Sequence, residues 1–251
     1  LKYFDSNGEN KAAVTQTSID PQHYNAQFFD NAIQWLNNTF RFKNIFEFRH
    51  LVNALFAWAG IITTGLFILS IAGPRSALFG IVLLTFTPRF FGHGLTNHRD
   101  IPAIVGMIGA IYLLHLVLQK KWNTKLHLKL LMGFSLAIAL CFSIRLSHGI
   151  LTIFYSGAFY LLWLIFNYSQ KNKKKNKQKK KFRKSTLEIK ELFKKSVLLG
   201  IAIFIGFLLG NSIWPFFLED PFNNTLEVFK ASSEFGVGLK QLFEGKLIFS
   251  L

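Results

Sequence analysis

The sequence predicts an all-α polytopic membrane protein, with about six transmembrane helices and an exterior amphipathic juxtamembrane helix. Three observations predict it. Of 251 residues, 51% are hydrophobic and 29 are Phe. Only 17% are charged, against about 25% in a soluble domain. A membrane helix needs about 20 mostly apolar residues, and 51–71 holds no charged residue at all. The same composition excludes intrinsic disorder, which requires low hydrophobicity. It also excludes a soluble basic nucleic-acid binder, whose cations coat a surface. The net charge of +16 is concentrated in one place: 171–184 carries nine Lys and one Arg, and without those ten the charge falls to +6. The one cysteine, Cys141, excludes a disulfide framework and a Cys-based zinc site.

The elements follow in order. In 1–49, Tyr24, Phe28, Ala32, Trp35, Leu36 and Phe40 recur at three- and four-residue steps, with Asp20 as a cap and Pro21 at the first helical position. This reads as an amphipathic helix on the outer membrane surface, or as a helix packed on a soluble subdomain. Spans follow at 51–71, 101–118, 128–144, 150–166 and 197–217. Between the first two, 76–87 is roughly 18 Å long as a helix, a short or tilted span completed by Phe90 and Phe91. The chain thus divides into an exterior first loop (1–49), a five-helix region (50–168), a Lys-rich loop (169–196), a further span (197–217) and an exterior segment (218–251). The tract 171–184 is expected to be a disordered cytoplasmic loop.

Lys and Arg in short loops set orientation. The tract 171–184, Lys120, Lys121, Lys125 and Arg75 all fall on one side when six helices alternate, which makes that side cytoplasmic. The other face collects 1–49, 89–100, 145–149 and 218–251, with Asn-x-Thr sequons at Asn37 and Asn223. The expected location is the cell (inner) membrane. An exterior segment starting at Leu1 needs a preceding span or signal peptide, so at least one helix is expected upstream, and the apolar stretch 246–251 points to more downstream.

The exterior loops are rich in His, Arg and Asp. Arg49 and His50 open the first span, Arg89, His93, Asn97, His98, Arg99 and Asp100 fill the loop after the second, Arg145 and His148 follow the fourth, and Glu219 and Asp220 follow the last. Each has a plain reading: Arg49 and His50 snorkel to headgroups, Asp100 caps a helix, Arg145 marks a span's end. No histidine pair has the i, i+4 spacing of helical zinc motifs. If 93–100 were helical, His93, Asn97 and Asp100 would share one face, but Gly92 and Gly94 argue against a helix there. The functional reading is a cleft at the membrane boundary. Its cations suit a phosphate, and its carboxylate suits base work or a divalent metal.

These residues also carry a resemblance. Arg49-His50-Leu51-Val52-Asn53-Ala54-Leu55 resembles the "RHL-x-NAL" helix opening of GT-C-type membrane glycosyltransferases. Thr87-Pro88-Arg89-Phe90-Phe91-Gly92-His93 through Asn97-His98-Arg99-Asp100-Ile101-Pro102 resembles their "TPRFFGHS…N-x-xD-x-P" loop. The stretch 142–150 resembles a later "lAiaiRvgGil" step, with Ser147-His148 unusual in it, and Trp214-Pro215 with Asp220-Pro221 resembles a "W-P-x-x-x-x-x-P" segment. The resemblance spans the chain and is most specific at 87–102. It is closest to family 39-like enzymes, which include protein O-mannosyltransferases and lipid A aminoarabinose transferases. It implies a polyprenyl-phosphate-linked sugar donor, a glycan, lipid or protein acceptor, membrane lipids as surroundings and no nucleic acid. It implies an inverting transfer on the non-cytoplasmic face, with the main catalytic base in a loop upstream of Leu1. Asp100 matches the second acidic position, where it would hold a divalent metal or the donor phosphate, or orient the acceptor. Arg49, Arg89, Arg99 and Arg145 are candidates to stabilise the leaving phosphate, His50, His93 and Asn97 for substrate contact, and His93 and His98 for acceptor contact or proton work.

Two other classes compete. A transporter would carry polar residues along its spans, and only Asn53, His115 and small polar residues lie there. A non-enzymatic assembly protein would use the lysine tract to dock partners or anionic lipid.

Overall fold

The computed structural model describes residues 26, 28–175, 182–233, 239–243 and 246–250. The chain begins there with α1 (Phe28–Phe40), then α2 (Ile45–Ala72), α3 (Pro74–Phe86), α4 (Pro88–Thr96), α5 (Asp100–Gln119), α6 (Thr124–Phe142), α7 (Leu146–Lys175), α8 (Phe182–Asn211), α9 (Pro215–Glu219) and α10 (Asn223–Ser233). A two-stranded antiparallel ribbon follows, β1 (Leu239–Phe243) against β2 (Lys246–Ser250), with Phe243 opposite Lys246. The fold is that of an all-α polytopic membrane protein. Five helices are long and apolar enough to cross a membrane, or six if the bent pair α3–α4 is counted as one span.

Local chemistry explains the boundaries. α2 begins six residues before the apolar run because Asn44 caps it: the Asn44 side chain accepts from Phe46 and Glu47 backbone N–H groups at 3.0 and 3.4 Å and donates to the Glu47 carboxylate at 2.9 Å. The α2–α3 turn passes through Gly73 at φ +84°, a conformation an L side chain resists, and Pro74 then fixes the first turn of α3. Pro88 opens α4 after a 64° bend, because a proline cannot continue the hydrogen-bond ladder of α3.

α5 and α6 form the centre. Half of the α5 apolar window is buried, against 17% for α2 and α7. Leu51, Leu55, Trp58, Ile62, Leu66 and Leu69 of α2 stay exposed along one stripe, which is where acyl chains stand for a membrane helix. The core comprises Ala110, Leu114 and Val117 of α5 and Phe134, Ile138 and Phe142 of α6, with Trp214 closing it beside α8. α8 lies against α6 through small residues. A Cβ added at Gly206 would stand 2.7 Å from the Ser135 carbonyl oxygen, and one at Gly210 2.6 Å from that of Ala139. Such backbone contact is the usual basis of helix association in lipid, where apolar burial gives no drive.

Two local expectations change. The disordered loop expected over 171–184 is helical at its described residues, since α7 runs to Lys175 and α8 starts at Phe182. In α1 the inward residues are Phe29 and Ile33, one step round from the expected face, while Trp35 and Phe40 stand exposed. Asp20, Pro21 and Tyr24 lie outside the described residues.

Candidate functional site

The polar residues of the first, second and fourth turns do converge, at one end of the bundle. Two clusters form there, joined through Asn97, His98 and Asp100.

The first is built on α4. Despite Gly92 and Gly94, this segment is helical, and its ends explain why. A nine-residue helix leaves its last carbonyls without internal partners. The Asn53 amide, buried in α2, donates to the His93 and Gly94 carbonyls at 3.0 and 2.9 Å, and His50 Nδ1–H donates to Leu95 O at 2.6 Å. Gly94 suits this approach, since a Cβ there would stand 3.1 Å from Ala57 Cβ. α2 therefore supplies the contacts that α4 needs.

Asn97 then ends α4 and starts α5. Its Oδ1 accepts from the backbone N–H groups of Arg99 (3.2 Å) and Asp100 (3.0 Å), so Asn97 takes the capping role and Asp100 is left for other work. Its Nδ2 donates to Asp100 Oδ2 at 2.7 Å and lies 2.9 Å from His93 Nδ1. His148, in the first turn of α7, brings Nε2 to 3.8 Å from Asp100 Oδ1. That separation suits a bridging water or a small shift better than a direct bond. The Asp100 side chain remains 48% exposed, with His148 more enclosed behind it. The charge of Arg145, at the break before α7, reaches His148.

The second cluster contains a residue that the sequence reading passed over. Asp30 of α1 is ion-paired with Arg49 Nη2, and the same nitrogen lies 3.0 Å from His98 Nε2. An arginine only donates, so His98 Nε2 accepts and its ring is neutral. Burial, and then the charges of Arg49 and Arg99, push the His98 pKa below the ordinary imidazole value, which agrees. The Phe29 ring lies 5.7 Å from that of His98 and 5.9 Å from Phe56, and Phe28 N–H donates to Ser143 O at 3.1 Å, which ties α1 to the bundle. Asp30 carried no sequence signal, because on a helical wheel it reads as the polar edge of a surface helix.

Two candidates stand apart. Arg89 is exposed in the first turn of α4, with no hydrogen bond or ion pair to the cluster among the described residues. Asp220 caps α10, accepting from Asn223 N–H at 3.0 Å and Asn223 Nδ2 at 2.7 Å, and these bonds hold its carboxyl below the usual range. Among the described residues no group of three or more His, Cys, Asp or Glu is placed to hold a metal ion. Asp100 with His148 offers two ligands. That number suits a magnesium-like cation only if phosphate oxygens complete its shell.

No family model, curated protein or solved structure matches the chain.

Proposed function

We propose that the protein is a membrane glycosyltransferase that moves a sugar from a polyprenyl-phosphate donor to a hydroxyl acceptor on the non-cytoplasmic face of the cell membrane. One observation carries the reading. A half-exposed carboxylate, Asp100, is held by Asn97, with His148 3.8 Å away, at the bundle end where Arg49, Arg99 and Arg145 also gather. A carboxylate beside clustered arginines, at the boundary of a lipid-facing bundle, is the equipment a phosphate-bearing lipid and a polar acceptor require.

In this reaction the acceptor hydroxyl gives its proton to a carboxylate base. Its oxygen then forms a bond to the anomeric carbon from the side opposite the phosphate. The bond from that carbon to the phosphate oxygen breaks, and the phosphate keeps the electron pair. Charge grows on the phosphate as the bond breaks, so arginines held in place before the reaction lower the barrier. Asp100 orients the acceptor or, with a divalent cation, the donor phosphate. His93 and His50 line the acceptor side through α4. The transporter reading has less support. Asn53 uses its amide to hold α4, and His115 is walled by the rings of Phe67 and Phe159, at 5.8 and 6.0 Å, rather than facing a path.

The test is Asp100→Asn. Asparagine keeps the size and removes the charge, so transfer from a lipid-linked sugar should fall by about a hundred- to a thousandfold, as for loss of a group that acts on charge in the transition state. Membrane insertion and unfolding temperature should stay near wild type. Transfer at the wild-type rate would remove Asp100 from the reaction.

A further inference from the structure

Asp30 has no part in the reaction above, yet its carboxylate lies among the cations. The guanidinium fork of Arg49 is only partly used. Arg49 Nη2 serves both Asp30 and His98, while Arg49 Nε is buried with no hydrogen-bond partner among the described residues. A buried N–H of this kind costs about 1–3 kcal/mol unless a partner reaches it. The charges depend on Asp30: Arg49 and Arg99 lie with Asp30 and Asp100 around His98, which is neutral. The two signs balance with Asp30 in place, and one positive charge is left over without it. A carboxylate and a phosphate both fit a guanidinium fork, but a phosphate monoester carries about −1.5 to −2 and a third oxygen. Asp30 rides on α1, whose outer face is exposed at Trp35 and Phe40 and whose start is tied by the bond from Phe28 to Ser143.

We propose that Arg49, Arg99 and His98 form a binding site for a phosphate group, and that Asp30 fills this site as an internal substitute which the incoming phosphate displaces. Displacement frees Asp30, gives the buried Arg49 Nε–H an oxygen to meet, and loosens α1 from the site. His98 Nε2 is an acceptor while it faces Arg49, so it must turn or take up a proton to donate to the phosphate. The inference rests on the transferase reading only for the lipid origin of the phosphate.

The experiment measures the apparent Kd of two probes, undecaprenyl phosphate and inorganic phosphate, for the protein in phosphatidylcholine nanodiscs. Wild type is compared with Asp30→Asn, Asp30→Ser, Asp30→Glu and Arg49→Gln. Removing the internal competitor should tighten binding about three- to tenfold in both Asp30→Asn and Asp30→Ser, because the open site no longer has to be selected from a mostly filled one. Asp30→Glu should bind like wild type, and Arg49→Gln about tenfold more weakly or worse. Weaker or unchanged binding in Asp30→Asn and Asp30→Ser would overturn the proposal and make Asp30 a residue that positions Arg49. Two uncharged replacements guard against a folding defect in either. Tightening for the lipid alone assigns a headgroup, and tightening for both probes assigns any phosphate monoester. Sugar transfer assayed on the same samples separates the two claims. Tightening without transfer in wild type keeps the phosphate site and rejects the transferase, whereas transfer with weaker binding in Asp30→Asn does the reverse.

Discussion

The two ends of the bundle employ polar groups differently. At the end away from Asp100, the buried Lys195 ammonium donates to Lys120 O at 2.6 Å and pairs with Glu191 at 2.9 Å. Glu191 also accepts from Trp122 N–H at 2.9 Å, Trp122 lies against His127 with centroids 4.6 Å apart, and Lys194 stands 4.1 Å over the indole. His127 accepts from Asn123 N–H at 3.1 Å and points Nε2 at Val117 O, 3.3 Å away. Donors and acceptors there pair between α8 and the α5–α6 turn, and each of these groups meets its partner. At the site end, Arg49 Nε and His148 Nδ1 are buried without hydrogen-bond partners among the described residues, and Asp100 stays half open. A closed network holds its own chain in place. An incomplete one costs stability and keeps capacity for another molecule.

The largest test of that contrast is Lys195→Met. It leaves the Lys120 carbonyl and Glu191 without their cation and should lower stability by about 2–3 kcal/mol, the range for a charged hydrogen bond lost inside a protein. Thermal unfolding in detergent reads the loss, while binding of undecaprenyl phosphate should not change. A drop in binding would show the two ends to be coupled. Asn53→Leu comes next. Without the amide, the α4 carbonyls lose two bonds, at about 1–2 kcal/mol. Unlike Lys195→Met, it should also reduce transfer several-fold, since His93 and Asn97 move with α4. Equal losses of function in both variants would erase the distinction. The smallest effect is in pH. His98 has its pKa depressed in the fold, so the unfolded chain takes up a proton first. Stability from this group is whole above about pH 6.5, the unfolded value, and declines as pH falls from there toward the folded pKa. His98→Asn should flatten that part of the unfolding-temperature curve below pH 6.5, and an unaltered curve would place the titration elsewhere.

Much of this was legible in the sequence for a simple reason: water-avoiding stretches of span length announce themselves one residue at a time. The stretch 76–87 with Phe90 and Phe91 falls on α3 and the bent α4, which pass together as one span by length and composition. The loop's chemistry was legible as residue types, not as geometry. Gly92 and Gly94 argue against a helix by intrinsic propensity, and α4 forms anyway because Asn53 and His50 satisfy its free carbonyls from another helix. Asn97 rather than Asp100 caps α5, a choice set by side-chain orientation that spacing alone leaves open. Asp30 was invisible for a deeper reason. Its partners are Arg49 and His98, and no periodicity links a carboxylate to groups so far along the chain.

The bend at Pro88 has a consequence for the surrounding bilayer. The thirteen residues of α3 rise only about 20 Å, roughly 10 Å less than a hydrocarbon layer. Lipids beside α3 must tilt or thin to match it, which lowers the water boundary locally toward α4. The depth of His93 and Asp100 then lies nearer to lipid headgroups on this flank than the length of the other spans would suggest.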